Sequence, residues 1–292
     1  MNVAGIRFTK MSAGGNDFIV IDNVTAAECD PAAIDAGSIA RLCARAHSVG
    51  ADGLIIIEAS QQAHVKMNYF NADGGRAALC GNGVRCVARM VAVRRWAPPE
   101  QMTIETDIGT LQATVADDAP SFRLPLGHPR IERKTIWLEG SLDEISREFD
   151  ATFVQAGVPH LVVEVRDAHG MDKQVFLARA SRLRRHPDLG PDGANVDFVT
   201  TRDRSTLEIR FFERGIEGET MSSGSGCIAS VLAAMESGRL DSPVHCKTLS
   251  GGTSTVTVER DDNGAMEVIL AGEARIIYTG ILHGEAATGF SA

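Results

Sequence analysis

The sequence predicts an α+β fold built from two pseudo-symmetric α/β domains. Each domain is expected to be a mixed, largely antiparallel sheet wrapped around a central helix. Three observations predict this fold: an internal repeat, a regular alternation of strand-like and helix-like segments, and a length of 292 residues. At about 150 residues per domain, that length corresponds to two domains. We therefore expect a duplicated fold with an active-site cleft between its halves.

The internal repeat is clearest where a glycine-rich turn opens into a helix. Cys80-Gly81-Asn82-Gly83 and Ser223-Gly224-Ser225-Gly226 are separated by 143 positions. Upstream, GNDFIVID at 15–22 matches GVPHLVVE at 157–164, at an offset of 142. Ordered matches at nearly one offset indicate duplication of a whole domain.

The first half contains the signals of strands, helices and turns in order. Asp30-Pro31 predicts a helix start, with Asp as the cap and Pro at the first position. Val84, Val87, Ala88 and Val91 have the spacing of a helix with one buried face. The predicted strands lie at 3–11, 18–22, 54–58 and 64–70, with a strand pair over 103–115.

The strand and helix pattern lapses near residues 119–129, and we place the domain boundary there. The predicted domains are 1–122 and 123–275, and a C-terminal strand at 276–292 is expected to return to the first. In the second half, Ser141–Glu144 is a capping box and 171–183 is helical. The predicted strands of this half lie at 152–165, 195–200, 206–212 and 273–281.

Composition restricts the classes of function. With 44% hydrophobic and 23% charged residues the chain is typical of globular proteins, and its net charge of −9 argues against nucleic acid or an anionic membrane as partner. No basic-then-apolar N-terminal signal and no long apolar run occur, so we expect a cytoplasmic protein. The expected partner is a small amino-acid substrate, and a homodimer is left open.

No cofactor or metal is expected. The six cysteines are scattered and form no C-x-x-C pair, and the eight histidines show no ligand spacing. The glycine turns lack the Lys-Ser/Thr of a P-loop and the G-x-G-x-x-G of a dinucleotide site.

Cys80 lies where the first glycine turn opens into a helix. Backbone N–H groups and the helix dipole favour the thiolate there, although a lone cysteine at such a turn can equally be a small buried hydrophobe. The repeat decides between these interpretations, because two helix starts with an acid–base residue at each tip suit proton removal from one face of a carbon and return to the other. A carboxylate held by glycine-turn N–H groups would stabilise the developing charge.

The chain resembles the diaminopimelate epimerase family, the cofactor-independent two-cysteine epimerases of lysine and peptidoglycan biosynthesis, over nearly its full length. The matching motifs are FTKMSAGGNDF (8–18), GADGL (50–54), FNADG (70–74), CGNGVRC (80–86), GVPH (157–160), ERG…GET (213–220) and SGSG (223–226).

The resemblance implies a role for each matching residue. Cys80 corresponds to the first catalytic cysteine and Ser223 to the second, while His160 and Glu213 correspond to residues that tune the two thiols. The implied substrate-binding residues are Asn16, Asn71, Gly81, Asn82, Asn195, Glu213, Arg214, Gly224 and Ser225. Each Asn taken singly is also typical of a turn that satisfies its own backbone.

Two departures from the family pattern concern the chemistry. Ser223 replaces a thiol by a much weaker acid, and Cys227 lies four residues further on, inside the helix. Val158 stands where many members have a substrate-binding Asn, and Gly53 where some have Gln, which removes polar contacts to the far end of diaminopimelate. Met221-Ser222 also differs from the common pattern, which favours a natural serine over an introduced one.

Three functions therefore stay open. The first is diaminopimelate epimerase, interconverting the LL and meso isomers through the α-proton. The second is a related racemase, isomerase or dehydratase that acts on another amino acid through Cys80 alone. The third is a non-catalytic amino-acid-binding protein that keeps the carboxylate-binding turns.

Overall fold

The computed structural model describes residues 3–26, 28–31, 34–139 and 147–288. The chain divides into two compact units. Unit 1 comprises Met1–Arg123 and Ala271–Ala292, and unit 2 comprises Leu124–Leu270. The first division, after Arg123, lies one residue from the predicted boundary at 122. The C-terminal part of unit 1 begins at Ala271, five residues before the predicted start at 276.

The strands and helices follow in chain order. The first elements are β1 (Arg7–Ala13), β2 (Asn16–Asp22), α1 (Ala36–Cys43), β3 (Gly53–Glu58), β4 (Val65–Asn71), α2 (Gly81–Arg94), β5 (Met102–Thr106), β6 (Gly109–Ala116) and β7 (Ala119–Gly127). They are followed by β8 (Arg130–Leu138), β9 (Arg147–Ala156), β10 (Val158–Glu164), α3 (Lys173–Arg184), β11 (Asn195–Asp203), β12 (Thr206–Glu213), β13 (Gly218–Thr220), α4 (Gly224–Glu236), β14 (Val244–Lys247), β15 (Thr253–Arg260), β16 (Met266–Gly272) and β17 (Arg275–Ile281).

The two units repeat one order of strand orientations. In unit 1, β1–β2, β3–β4 and β5–β6 are antiparallel, whereas β2–β3 and β4–β5 are parallel. In unit 2, β9–β10, β11–β12 and β14–β15 are antiparallel, whereas β10–β11 and β12–β14 are parallel. The fold is thus mixed α and β, as the sequence predicts.

In each unit one further strand pairs with the first strand of the repeated set. β17 pairs antiparallel with β1 in unit 1, and β8 pairs antiparallel with β9 in unit 2. The C-terminal segment therefore supplies the strand beside β1.

Each unit has a central helix with a buried apolar face. In α2, the side chains of Val84, Val87 and Val91 are fully buried, as their spacing predicts. Nine residues of α4 are buried, and they include both small and branched apolar side chains. A helix that is apolar on nearly all sides must be enclosed by other elements, and α4 meets β9, β10, β11 and β15.

Capping residues in the sequence predict two helix starts, one at Asp30 and one at Ser141. The predicted start at Asp30-Pro31 borders residues outside the described part of the chain, since Pro31 is 3₁₀-helical and residues 32–33 are not described. The α-helix α1 begins at Ala36, and the carboxylate of Asp35 accepts a hydrogen bond from the backbone N–H of Ser38 at 2.8 Å. Asp35 caps α1 because it directly precedes the buried stripe that includes Ile39 and Leu42. The capping box at Ser141–Glu144 lies outside the described residues.

In the described part of the chain, no helix has the length and apolarity that crossing a bilayer requires.

Candidate active site

Cys80 is the N-cap residue of α2. Its backbone is extended (φ −135°, ψ 110°), and its sulfur accepts a hydrogen bond from the N–H of Gly83 at 3.4 Å. The side chain is partly exposed. An N–H donor and the positive end of the helix dipole both favour a thiolate at this position.

The other five cysteines are buried and lack that setting. Burial raises the pKa of the Cys29 and Cys43 thiols to about 11. The pKa of Cys86 is raised by burial, and that of Cys246 by its hydrogen bond with Cys227 and by burial. Cys80 is therefore the thiol best placed for acid–base chemistry.

A polar chain of side chains supports the first turn of α2. The buried Asn82 donates from Nδ2 to Oδ1 of Asn16 at 2.7 Å, and Asn16 donates to the carboxylate of Asp52 at 3.0 Å. Arg85, also buried, donates to Oδ1 of Asn82 at 2.5 Å. These bonds fix the orientation of two predicted substrate-binding amides next to Cys80.

Ser223 occupies the equivalent position at the start of α4. Its backbone has nearly the same angles as Cys80 (φ −140°, ψ 119°), and its Oγ accepts a hydrogen bond from the N–H of Gly226 at 3.2 Å. Ser223 is buried, with a relative accessibility of 5%. The sequence repeat thus produces two helix caps with one geometry and two different acid–base groups.

Glu213, at the end of β12, lies against Ser223. Burial raises the pKa of the Glu213 carboxyl, and the hydrogen bond from the Ser223 hydroxyl opposes that rise only in part. A carboxylate that accepts from Ser223 can take the hydroxyl proton when the serine oxygen receives another. The pair can therefore act as a composite acid–base.

A buried histidine–aspartate pair contacts the first turn of α4. His160 and Asp197 are fully buried, and Nδ1 of the imidazole is 2.8 Å from Oδ2 of the carboxylate. Nε2 is 3.1 Å from Oγ of Ser225, which is 3.4 Å from Oγ of Ser223. An ionised Asp197 can only accept, so Nδ1 carries the proton and Nε2 can accept from Ser225.

Asn195 joins this group from the neighbouring strand. Its Nδ2 is 3.3 Å from Nε2 of His160, and its Oδ1 accepts from the N–H of Arg214 at 2.8 Å. The parallel register of β10 and β11 places His160 directly beside Asn195. The contact between these two predicted residues is thus a consequence of strand pairing.

Glycines set how closely both central helices approach their sheets. A Cβ on Gly83 would lie 2.7 Å from Cε of Met67, and one on Gly226 would lie 2.6 Å from the Phe211 ring. Real Cβ atoms do not approach neighbours so closely, so a glycine at the third helical position lets each helix start lie on its sheet. This steric need explains the last glycine of both repeated turns.

The predicted site residues fall into one group in each unit. Asn16, Asn82, Cys80 and Gly81 lie at the start of α2 and beside it, and the exposed Asn71 ends β4. The unit 2 group is Ser223, Gly224, Ser225, His160, Asn195, Glu213 and Arg214. The side chain of Arg214 is exposed, and Gly224 is half-buried at the first position of α4.

Three further residues at these positions are not among the predicted site residues, although Asp52 lies within the motif GADGL. Asp52 accepts from Asn16, Asp197 holds His160, and the Tyr69 hydroxyl hydrogen bonds with Cys80. For Asp197 a signal exists, because an acidic residue two positions after Asn195 in an apolar strand must share its face. The position of Tyr69 depends on helix–sheet packing and has no such signal.

A cavity of about 990 Å³ in unit 2 lies away from these residues. Its wall includes Ala233, Glu236 and Arg239, near the C-terminal end of α4, and Arg133 of β8. Neither Ser223 nor His160 lines it, so the cavity is separate from the candidate site.

Among the described residues, no three or more His, Cys, Asp or Glu side chains are grouped as they would be to bind a metal ion.

Comparison with known proteins shows the family. A family model described as diaminopimelate epimerase matches residues 8–131 and 152–277. A diaminopimelate epimerase from Archaeoglobus fulgidus is 33% identical over 287 residues, which cover 95% of this chain and 96% of that protein. One from Aquifex aeolicus is 32% identical over 288 residues, covering 96% and 99%.

Solved structures of lower identity share the fold. A phenazine biosynthesis protein of the PhzF family from Bacillus anthracis superposes with a TM-score of 0.69 at 17% identity, covering 95% of this chain and 98% of that one. A hydroxyproline epimerase from Agrobacterium vitis gives a TM-score of 0.67 at 15% identity, covering 96% and 94%. At these identities the likeness concerns the fold alone.

Proposed function

Because the chain belongs to the diaminopimelate epimerase family and is an isomerase, we propose that it interconverts LL- and meso-diaminopimelate in the cytoplasm without a cofactor. The observation that carries the proposal is the pair of helix caps, Cys80 and Ser223, which share one backbone geometry and each accept an N–H bond from the third helical residue. Two-base epimerisation uses one acid–base group on each face of the α-carbon, and we assign one of the two caps to each role.

Cys80 is proposed as one of these groups. As the thiolate it takes the α-proton, the C–H bond breaks, and the electron pair stays on the α-carbon. The activation free energy is high because negative charge develops on the α-carbon and spreads into the α-carboxylate. Backbone N–H groups at a helix start can stabilise that charge. The Cys80 thiol formed in this way can return a proton to the α-carbon in the reverse step.

Ser223 is proposed as the other group, acting together with Glu213. A serine oxygen alone is a poor base, because its alkoxide is far too unstable at neutral pH. The Ser223 hydroxyl hydrogen bonds to Glu213, so its proton can pass to that carboxylate while the oxygen receives the α-proton. Glu213 is thereby left neutral, and the same path run backwards returns a proton to the carbanion.

Interconversion of the two isomers tests the proposal. The protein is incubated with LL- or meso-diaminopimelate, and the products are separated by chiral chromatography. We expect each isomer to yield the other, and we expect the Cys80→Ala variant to yield neither. Absence of interconversion by the wild-type protein would overturn the assignment of substrate.

A second candidate function has one specific observation in its favour. Val158, at the start of β10, is 39% exposed and presents an apolar side chain. This position lies where many family members place a substrate-binding Asn, so a substrate without a polar far end would suit it. The alternative is a racemase, isomerase or dehydratase for another amino acid, and racemisation or dehydration of such substrates in the absence of diaminopimelate turnover would favour it.

A further inference from the structure

Tyr69 lies on the face of the unit 1 sheet that α2 covers. The antiparallel register of β3 and β4 pairs Ile55 with Tyr69, so both side chains point to one face, as does that of Met67 two residues earlier. The first turn of α2 packs on this face, because Gly83 closely approaches both Met67 and Ile55. The strand therefore brings Tyr69 to the helix start that Cys80 caps.

The ring of Tyr69 is held in place from two sides. Phe18 contacts it edge-on, with ring centroids 6.1 Å apart and an interplanar angle of 77°. A Cβ on Gly53 would lie 2.7 Å from Cε2 of the ring and 3.2 Å from the hydroxyl oxygen. Gly53 thus leaves the space that the ring occupies, and only 9% of Tyr69 is exposed.

The Tyr69 hydroxyl forms a hydrogen bond with the side chain of Cys80. Burial, together with the nearby Cys80, raises the pKa of Tyr69 above its ordinary value. The phenol therefore remains protonated while the cysteine ionises, and it is the donor of the bond.

We propose that Tyr69 is a positioning residue whose hydroxyl donates a hydrogen bond to the Cys80 thiolate and holds the sulfur at the start of α2. With the N–H of Gly83 the sulfur then has two donors. Both donors favour the ionised form, which is the form that removes a proton. The inference rests on the proposed function only in treating Cys80 as an acid–base.

The test is the pH dependence of alkylation at Cys80. Iodoacetamide reacts with thiolates, and Cys80 is the partly exposed cysteine while the other five are buried. A Cys80→Ala variant gives the background rate. In Tyr69→Phe, we expect the midpoint of the rate profile to rise by about one pH unit, since loss of a donor to a charged sulfur destabilises the thiolate.

The matched control is Tyr278→Phe. The chain has two tyrosines, and Tyr278 is 46% exposed on β17. The Tyr278→Phe substitution removes the same phenol oxygen as Tyr69→Phe, at a position far from Tyr69 in sequence. Its profile should coincide with that of the wild-type protein. A Tyr69→Phe midpoint equal to that of wild type would overturn the inference, and thermal unfolding of both variants shows whether each is folded.

A second measurement keeps the inference falsifiable if Tyr69→Phe does not fold. In the Tyr278→Phe background Tyr69 is the sole tyrosine, so growth on 3-fluorotyrosine labels it alone. The fluorinated phenol is the stronger donor, and the midpoint of Cys80 alkylation should fall. An unchanged or raised midpoint would contradict the inference. Neither experiment needs turnover of diaminopimelate, so failure of the substrate assignment gives a different pattern of results.

Discussion

His160 and Asp197 form a buried pair in unit 2, with Nδ1 of the imidazole 2.8 Å from Oδ2 of the carboxylate. The carboxylate fixes one tautomer of the ring and leaves Nε2 as the acceptor toward Ser225. The Ser225 hydroxyl, in the first turn of α4, is therefore oriented by the buried pair, close to the proposed acid–base Ser223. The consequences can be measured at the substrate α-carbon.

Asp197→Asn should slow epimerisation by roughly 10²-fold, because a neutral amide no longer selects the Nδ1–H tautomer of His160. The steady-state rate of isomer interconversion measures the effect. Asp203→Asn, an exposed change at the end of the same strand, should leave the rate unchanged. If both variants behave like the wild-type protein, His160 does not depend on Asp197.

Ser223→Ala should separate two activities. We expect isomer interconversion to fall by roughly 10²- to 10⁴-fold, because one of two proton-transfer groups is lost. Exchange of the α-proton of one isomer, catalysed by Cys80, should persist without inversion. NMR of the recovered substrate distinguishes the two outcomes, and full interconversion by Ser223→Ala would remove Ser223 from the mechanism.

Ser223→Cys is the complementary change. A thiol at the cap of α4 is a stronger acid than the hydroxyl, so the rate of interconversion should rise above that of wild type. The kcat for each direction measures this gain. A variant that folds but gains nothing would show that the surroundings of this cap are adjusted to the serine and to Glu213.

The raised pKa of Glu213 predicts a pH dependence of stability with a definite sign. The folded-state pKa lies above the ordinary 4.5, so the folded protein holds this proton more tightly than the unfolded chain does. The stabilising contribution is fully present below the unfolded-state pKa and is lost as the pH rises through the folded-state pKa. Urea unfolding of wild type and Glu213→Gln across this range should show the loss in wild type only, and parallel curves would contradict it.

Gly226→Ala should destabilise unit 2 by about 1–3 kcal/mol, since the added methyl would overlap the Phe211 ring at 2.6 Å. Gly83→Ala should cost less, because the nearest atom is the flexible end of Met67. Gly218→Ala, which meets no atom closer than 3.8 Å, serves as the control. Denaturant unfolding gives all three values, and equal stability of the three variants would contradict the close approach of α4.

The fold could be predicted from the sequence because the duplicated halves show the same pattern of turns, strands and helices twice. Two glycine turns at one offset predict two central helices, and the structure repeats the same strand orientations around both. Helix starts are less certain from local signals alone. Asp35, which caps α1, is recognised only from its position directly before the buried stripe of that helix.

The site was predicted only in part, for a physical reason. Motifs identify residues such as Cys80 and Asn195 by their place in a turn or at a strand end. The contacts of Asp197 with His160 and of Tyr69 with Cys80 depend on strand register and helix packing, which join residues far apart in sequence. Short motifs do not specify such contacts, although the spacing of Asn195 and Asp197 does predict that they share a strand face.

The central claim, that this chain removes and returns the α-proton of diaminopimelate through Cys80, is tested most directly by exchange with solvent deuterium. LL- and meso-diaminopimelate are incubated separately with the wild-type protein and with Cys80→Ala in D₂O, and α-deuterium is followed by NMR and mass spectrometry. We predict that both isomers gain α-deuterium and interconvert with the wild-type protein, and that the variant loses interconversion. Failure of both isomers to acquire deuterium with the wild-type protein would contradict the claim.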